Sequence, residues 1–192
     1  MLACADKELE GVRVLVPRAF EDGRGVFMET YNRRGYEAAG IGHTFVQDNF
    51  SRSCQHVVRG LHYQIHHQQA KLVWAVRGEI FDVAVDIRRG SPTFGRWVGE
   101  VLSAENHRIM FVPEGFAHGF CVRSPEAEVL YKCSDYYTPD AERGIAWNDP
   151  QIGIAWPLPA GTAPMLSDRD RRYATLAGRP ADDLPVWRGA LP

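Results

Sequence analysis

The chain has 192 residues, 45% hydrophobic and 24% charged, which is the composition of a globular protein long enough for one core. Its formal net charge of -2 gives no basic field for a nucleic acid or a membrane surface. The sequence has no apolar run of about 18 residues, and its start, MLACADKELEGVRV, has no basic stretch leading into an apolar one, so neither a membrane helix nor a secretory signal is expected.

Along the chain, short apolar runs recur between Gly, Pro, Asp and Asn. Strands are expected at 12–17 (VRVLVP), 25–31 (GVFMETY), 44–51 (TFVQDNFS), 57–63 (VVRGLHY) and 71–77 (KLVWAVR). Further strands are expected at 79–88 (EIFDVAVDIR), 96–103 (RWVGEVLS), 107–113 (HRIMFVP), 117–123 (AHGFCVR) and 128–134 (EVLYKCS). Turn chemistry separates them, as at Asp22-Gly23, Arg77-Gly78 and Pro113-Glu114-Gly115. Many short strands at this spacing predict an all-β sandwich or barrel. One helix is expected over Arg33–Ala39, closed by Gly40, and a second over Asp168–Ala177. The whole of 1–192 reads as a single domain, with a core over about 11–170 and a less patterned tail, 171–192, that packs on the barrel or on a partner. Cys4, Cys54, Cys121 and Cys133 form no CxxC pair. The last two lie in apolar runs and read as core, so reduced thiols and a cytoplasmic protein are the expectation.

Strand parity carries more information. In EIFDVAVDIR, Phe81, Val83, Val85 and Ile87 share one face, and Ile80, Asp82, Ala84 and Asp86 share the other. The second face fits the wall of a polar cavity, Asp82 above all; for Asp86 a solvent face fits equally well. In VVRGLHYQ, Arg59 and His62 would face opposite sides of a regular strand. A bulge at Gly60 would bring both to one cavity.

Arg59, His62 and Lys71 thus stand where a sheet protein keeps its core, and two kinds of chemistry fit them. One is a metal site made from His62, His66 or His67, and His118, although there is no HxH spacing. The other is acid–base work without a metal. His62 would be the base, a carboxylate would orient it, Lys71 would supply fixed charge and Tyr131 would return a proton.

The ordered stretches DGRGVFMETYN, FVQDNFSRS, VVRGLHYQ, AKLVWAVRGEIFDVAVDIRRGSPTFGRW, LSAENHR, VPEGFAHGF, AEVLYKCSDYYTPDAERGIAWNDP, IAWPL and LSDRD resemble the dTDP-4-dehydrorhamnose 3,5-epimerases, a cupin-like family. The resemblance spans about residues 11–170. It implies a jelly-roll barrel with a few short helices, a homodimer with exchanged N-terminal strands, and no metal or redox cofactor. It also implies the substrate dTDP-4-dehydro-6-deoxy-α-D-glucose and the product dTDP-4-dehydro-β-L-rhamnose. His62 would be the base, Asp170 rather than Asp168 its partner, Lys71 the stabiliser of the enolate oxygen and Tyr131 the acid. Arg24 and Arg59 would bind diphosphate, and Gln47 and Asn49 phosphate or base. Phe27, Glu29 and Tyr137 would hold the deoxythymidine, partly across the dimer, while Asp82 and His118 would line the sugar pocket. The loop IHHQQ departs from the family, which commonly carries a Pro-Pro pair there. An epimerase acting on one carbon only, a metal-dependent cupin enzyme and a sugar-nucleotide-binding domain without turnover are the rival readings.

Overall fold

The structure is a computed structural model and describes residues 2–189. Met1 and residues 190–192, the outermost parts of the expected domain and tail, lie outside the described residues. In chain order the strands are β1 (Ala3–Asp6), β2 (Arg13–Val16), β3 (Ala19–Asp22), β4 (Gly25–Met28), β5 (Gln47–Cys54), β6 (Val58–Gln64) and β7 (Lys71–Arg77). They continue as β8 (Glu79–Asp86), β9 (Trp97–Ser103), β10 (Ile109–Val112), β11 (Phe116–Val122), β12 (Glu126–Cys133) and β13 (Glu142–Gly144). The single α-helix among the described residues, α1 (Arg33–Ala38), follows β4.

All ten expected strands are present, with ends that move by a few residues. The 44–51 strand begins later, at Gln47, and runs to Cys54, because its antiparallel register with β12 (Gln47 opposite Cys133, Cys54 opposite Glu126) sets its length. Three short strands gave no sequence signal; β1, for example, is exposed throughout and so shows no apolar alternation.

One sheet has six strands in the order β1-β2-β10-β7-β12-β5, and the other has five in the order β13-β6-β11-β8-β9. Both sheets are open and antiparallel, so the jelly roll takes the double-sheet form rather than a closed barrel. β3 and β4 form a separate two-stranded hairpin. The core lies between the main sheets, where Val73, Met110 and Val129 of one meet Ile80, Ala84 and Phe120 of the other. Each of the larger of these side chains contributes roughly 1.5–3 kcal/mol by leaving water. The parity of β8 holds. Ile80 and Ala84 face this core, while Val83, Val85 and Ile87 face an outer layer with Ile145, Ile152, Leu176 and Leu184. The tail therefore packs on the back of the five-stranded sheet.

Asp86 is not a solvent residue. It is fully buried and accepts hydrogen bonds from Arg88 Nε at 2.9 Å, Ser91 Oγ at 2.6 Å and Thr93 Oγ1 at 2.6 Å. Helix α1 appears where expected, capped by the Asn32 side chain and followed by Gly40 at φ 78°. The expected helix over Asp168–Ala177 does not form. Two 3-10 turns, Asp170–Arg172 and Leu176–Gly178, flank an extended Tyr173. The side chains of Asp170 and Tyr173 both pack against His62, and the backbone between the turns is extended at Tyr173, with φ -64° and ψ 138°.

Candidate active site

The strand carrying His62 is bent by one extra residue. β11 pairs Phe120 with Arg59 and His118 with His62, so β11 advances two residues while β6 advances three. The bulge expected at Gly60 is there, with Gly60 at φ 124°. A Cβ at this position would lie 2.6 Å from Gly119 Cα and 2.8 Å from the His118 oxygen, so only glycine fits. The bulge turns Arg59 toward β5, where its Nε donates to Ser53 Oγ at 3.0 Å.

A cavity of about 280 Å³ opens between the sheets. Gln47, Asn49, Lys71, Tyr131 and Cys133 line it from the six-stranded sheet. These residues are neighbours by register: Tyr131 lies opposite Asn49, and Cys133 lies between Gln47 and Lys71. His62, Tyr63, Gln64 and Glu142 line it from the five-stranded sheet, and Tyr137 joins them from a loop.

His62 Nε2 lies 2.6 Å from Asp170 Oδ1, which is the carboxylate chosen over Asp168. Burial works to raise the pKa of Asp170, but the hydrogen bond and charge of His62, with Ser167 and the Gly60 N–H, hold it below the ordinary carboxylate value. The carboxylate is therefore ionised and only accepts, so Nε2 is the donor in this pair and Nδ1 is the ring nitrogen left for other partners. Burial lowers the pKa of Lys71 against the pull of Cys133, Asp82 and Glu142. Burial raises Tyr131, followed by Cys133 in the same direction and Arg59 in the opposite one. Tyr131 is thus a protonated donor at neutral pH.

The other expected residues fall into three places. His118 Nε2 meets the buried Asp82 Oδ1 at 2.8 Å, and His118 lines a small recess shared with Lys71 behind the main cavity. Arg59 is exposed outside the cavity lining, though its charge reaches Tyr131. Arg24, Phe27 and Glu29 do not meet the cavity in this chain. Arg24 pairs with Asp22 on the hairpin, and Phe27, 73% exposed, and Glu29 line a separate hollow with Phe20 and Tyr36. Among the described residues no three His, Cys, Asp or Glu side chains converge as a metal site. His62, His118 and His67 each take a different carboxylate: Asp170, Asp82 and Asp135.

Sequence reasoning missed Glu142, Cys133, Gln64 and Gln69 as cavity residues. Glu142 accepts from Tyr137 Oη at 2.7 Å and pairs with Arg169. Its signal was slight, a charged pair (Glu142-Arg143) before the apolar Ile145-Ala146-Trp147.

The fold and the cavity together define a cupin-like jelly-roll protein with a carboxylate-paired histidine on one sheet and a lysine and a tyrosine on the other, around one cavity. The family model for dTDP-4-dehydrorhamnose 3,5-epimerase matches residues 6–178. A dTDP-4-dehydrorhamnose 3,5-epimerase of Pseudomonas aeruginosa is 61% identical over 171 residues, covering 88% of this chain and 92% of that protein. Among solved structures, the Legionella pneumophila dTDP-6-deoxy-D-glucose-3,5-epimerase in complex with dTDP-4-keto-L-rhamnose superposes with a TM-score of 0.95 at 46% identity. That match covers 98% of this chain and 100% of the other. A 3'-monoepimerase from Streptomyces bikiniensis in complex with dTDP-quinovose superposes with a TM-score of 0.86 at 36% identity, covering 94% and 91%. The chain belongs to the dTDP-4-dehydrorhamnose 3,5-epimerase family.

Proposed function

We propose that this chain converts dTDP-4-dehydro-6-deoxy-α-D-glucose to dTDP-4-dehydro-β-L-rhamnose by inverting C3 and C5. The observation that carries the reading is the placement of a base and an acid on opposite walls of one cavity: His62 with Asp170 on the five-stranded side, Tyr131 on the six-stranded side. Inversion of a carbon needs a proton removed from one face and returned to the other.

The C4 ketone acidifies the hydrogens on C3 and C5, so the sugar supplies its own electron sink. His62 Nδ1 takes the proton, the C–H pair becomes a C=C bond, and the carbonyl pair moves onto O4. Asp170 stabilises the imidazolium. Lys71 faces the developing charge on O4, where a preorganised cation in a site shielded from water is worth several kcal/mol. Tyr131 returns a proton from the far side and the ketone reforms; the imidazolium of His62 then releases its proton to solvent and the tyrosinate takes one from it, which restores both groups. His118 with Asp82 supports Lys71 from behind. Arg59 suits the diphosphate through its guanidinium fork, and Gln47, Asn49 and Tyr137 suit the nucleotide end.

A homodimer belongs to this reading. The hairpin carries Phe20, Val26 and Phe27 at more than half exposure, and the edge strand β1 is fully exposed, so both present surface suited to a second copy. Arg24, Phe27 and Glu29 would then serve the partner's cavity. Sedimentation at micromolar concentration tests the dimer. No helix among the described residues is long and apolar enough to cross a membrane. The four cysteines are free thiols, which supports a reducing compartment such as the cytoplasm.

The test of the function is incubation of the substrate in D2O with NMR readout. Deuterium at both C3 and C5, abolished by His62→Ala, is the expected result. Label at one carbon would reduce the enzyme to a single epimerase, as in the 3'-monoepimerase relative. No label from protein that binds dTDP would overturn the reading.

A further inference from the structure

His62 has a second neighbour besides Asp170. The ring of Tyr173 stands at 72° to the imidazole with centroids 5.8 Å apart. The chain makes room for it. Gly144 is the cross-strand partner of His62 in the pairing of β13 with β6. A Cβ at Gly144 would lie 2.3–2.5 Å from three carbons of the Tyr173 ring. Gly144 is not in the left-handed region, so its backbone does not require glycine; the neighbouring ring does. Arg179 closes the other side, with its guanidinium carbon 5.6 Å from the ring centroid and a hydrogen bond to the Gly144 oxygen.

The Tyr173 hydroxyl is buried, and the group nearest to pairing with it is the guanidinium of Arg169, which works to lower its pKa. Burial, followed by the charge of Glu142, pushes its pKa up to about 12. The phenol therefore stays neutral and does not compete with His62 for a proton. What the residue supplies beside the base is a rigid aromatic body.

We propose that Tyr173 is a positioning residue for the epimerase reaction: its ring fills the space beside the imidazole and holds it with Nε2 on Asp170 and Nδ1 toward the cavity. The inference rests on the function proposed above. Without the ring, the imidazole can rotate and water can reach the bond between His62 and Asp170.

The test compares Tyr173→Ala and Tyr173→Phe with the wild type by deuterium wash-in and by 15N NMR of the His62 ring. The Phe variant keeps the ring and should retain kcat within about threefold. The Ala variant should lose about 10- to 100-fold in kcat with KM nearly unchanged, since a displacement of about 1 Å is enough for such a loss. The NMR should show one Nε2–H tautomer in the wild type and the Phe variant, and a mixture in the Ala variant. A lower Tm in the Ala variant with kcat and tautomer unchanged would make Tyr173 structural only and overturn the proposal. An equal loss of kcat in the Phe variant would move the role to the hydroxyl and also overturn it. A wild type without wash-in would mean that the function reading fails, and the tautomer comparison would still decide the role of Tyr173.

Discussion

Replacing Asp170 by Asn keeps the size of the side chain and removes its charge. The carboxyl is 4% exposed, and its partner His62 lies 2.6 Å away. In a partly shielded site, opposite unit charges about 4 Å apart attract by about 4 kcal/mol at an effective dielectric constant of ~20. Losing that attraction in the transition state is worth about 10³-fold in rate. A second effect adds to it. Ser167 and the Gly60 N–H also serve the carboxylate, so an amide keeps its oxygen for those donors and turns its NH2 to His62. Nε2 must then accept, the proton moves to Nδ1, and the base loses the lone pair that faced the substrate. The wrong tautomer alone costs about 10⁴-fold in a serine-protease triad. Asp170→Asn should therefore lower kcat by about 10³- to 10⁴-fold, with dTDP affinity by calorimetry unchanged. Single-turnover deuterium wash-in measures the proton-abstraction step directly. A loss of less than tenfold would show that Asp170 neither sets the tautomer nor stabilises the imidazolium.

Lys71→Met should cost about 10²- to 10³-fold in kcat through loss of the charge facing O4, with dTDP binding by calorimetry preserved. Gly60→Ala should lower Tm strongly and abolish turnover, because the new Cβ meets backbone atoms at 2.6 Å and 2.8 Å and a φ of 124° disfavours alanine; a wild-type melting curve would contradict the account of the bulge. Asp86→Asn removes one partner of a buried ion pair and should cost about 3–5 kcal/mol at neutral pH in denaturant titrations. The pKa of Asp86 is lowered: burial alone would raise it, but bonds from Arg88, Ser91 and Thr93 outweigh that. Its contribution is therefore present above the unfolded carboxylate value of about 3.9 and is lost as pH falls through the lower folded value. The gap between wild type and variant should close in that acidic window.

Much of the fold is legible in local pattern. A strand buried on alternate faces must alternate its side chains, so EIFDVAVDIR announces two apolar layers and an acid inside, and KLVWAVR announces a strand that begins on a lysine. Gly60 between Arg59 and His62 announces a bulge, and the bulge is there, but it does not bring both side chains to one cavity: His62 lines it, while Arg59 turns to Ser53 and stays exposed outside the lining. The stretches of family resemblance extend this to His62, Lys71, Tyr131 and Asp170. These signals are local or carried by motif, and they hold because period-two burial and turn chemistry act within a few residues.

What only the tertiary structure decides depends on pairings far apart in sequence. His62 and Asp170 are 108 residues apart, and no local rule sets a distance of 2.6 Å between them. The helix expected over Asp168–Ala177 was reasonable from the sequence alone. It is replaced by two 3-10 turns around an extended Tyr173, because an isolated helix of this length is marginal and the contacts of Asp170 with His62 and of Tyr173 with Gly144 set the local path instead. Glu142 enters the cavity because β13 pairs with β6, a register that the short stretch Glu142-Arg143-Gly144 does not advertise. Arg24, Phe27 and Glu29 carry the family motif in sequence yet stand apart from the cavity of their own chain, because the β3–β4 hairpin folds outside both main sheets. Sequence fixes which residues can be buried and how a strand faces, while register and long-range packing decide which of them meet.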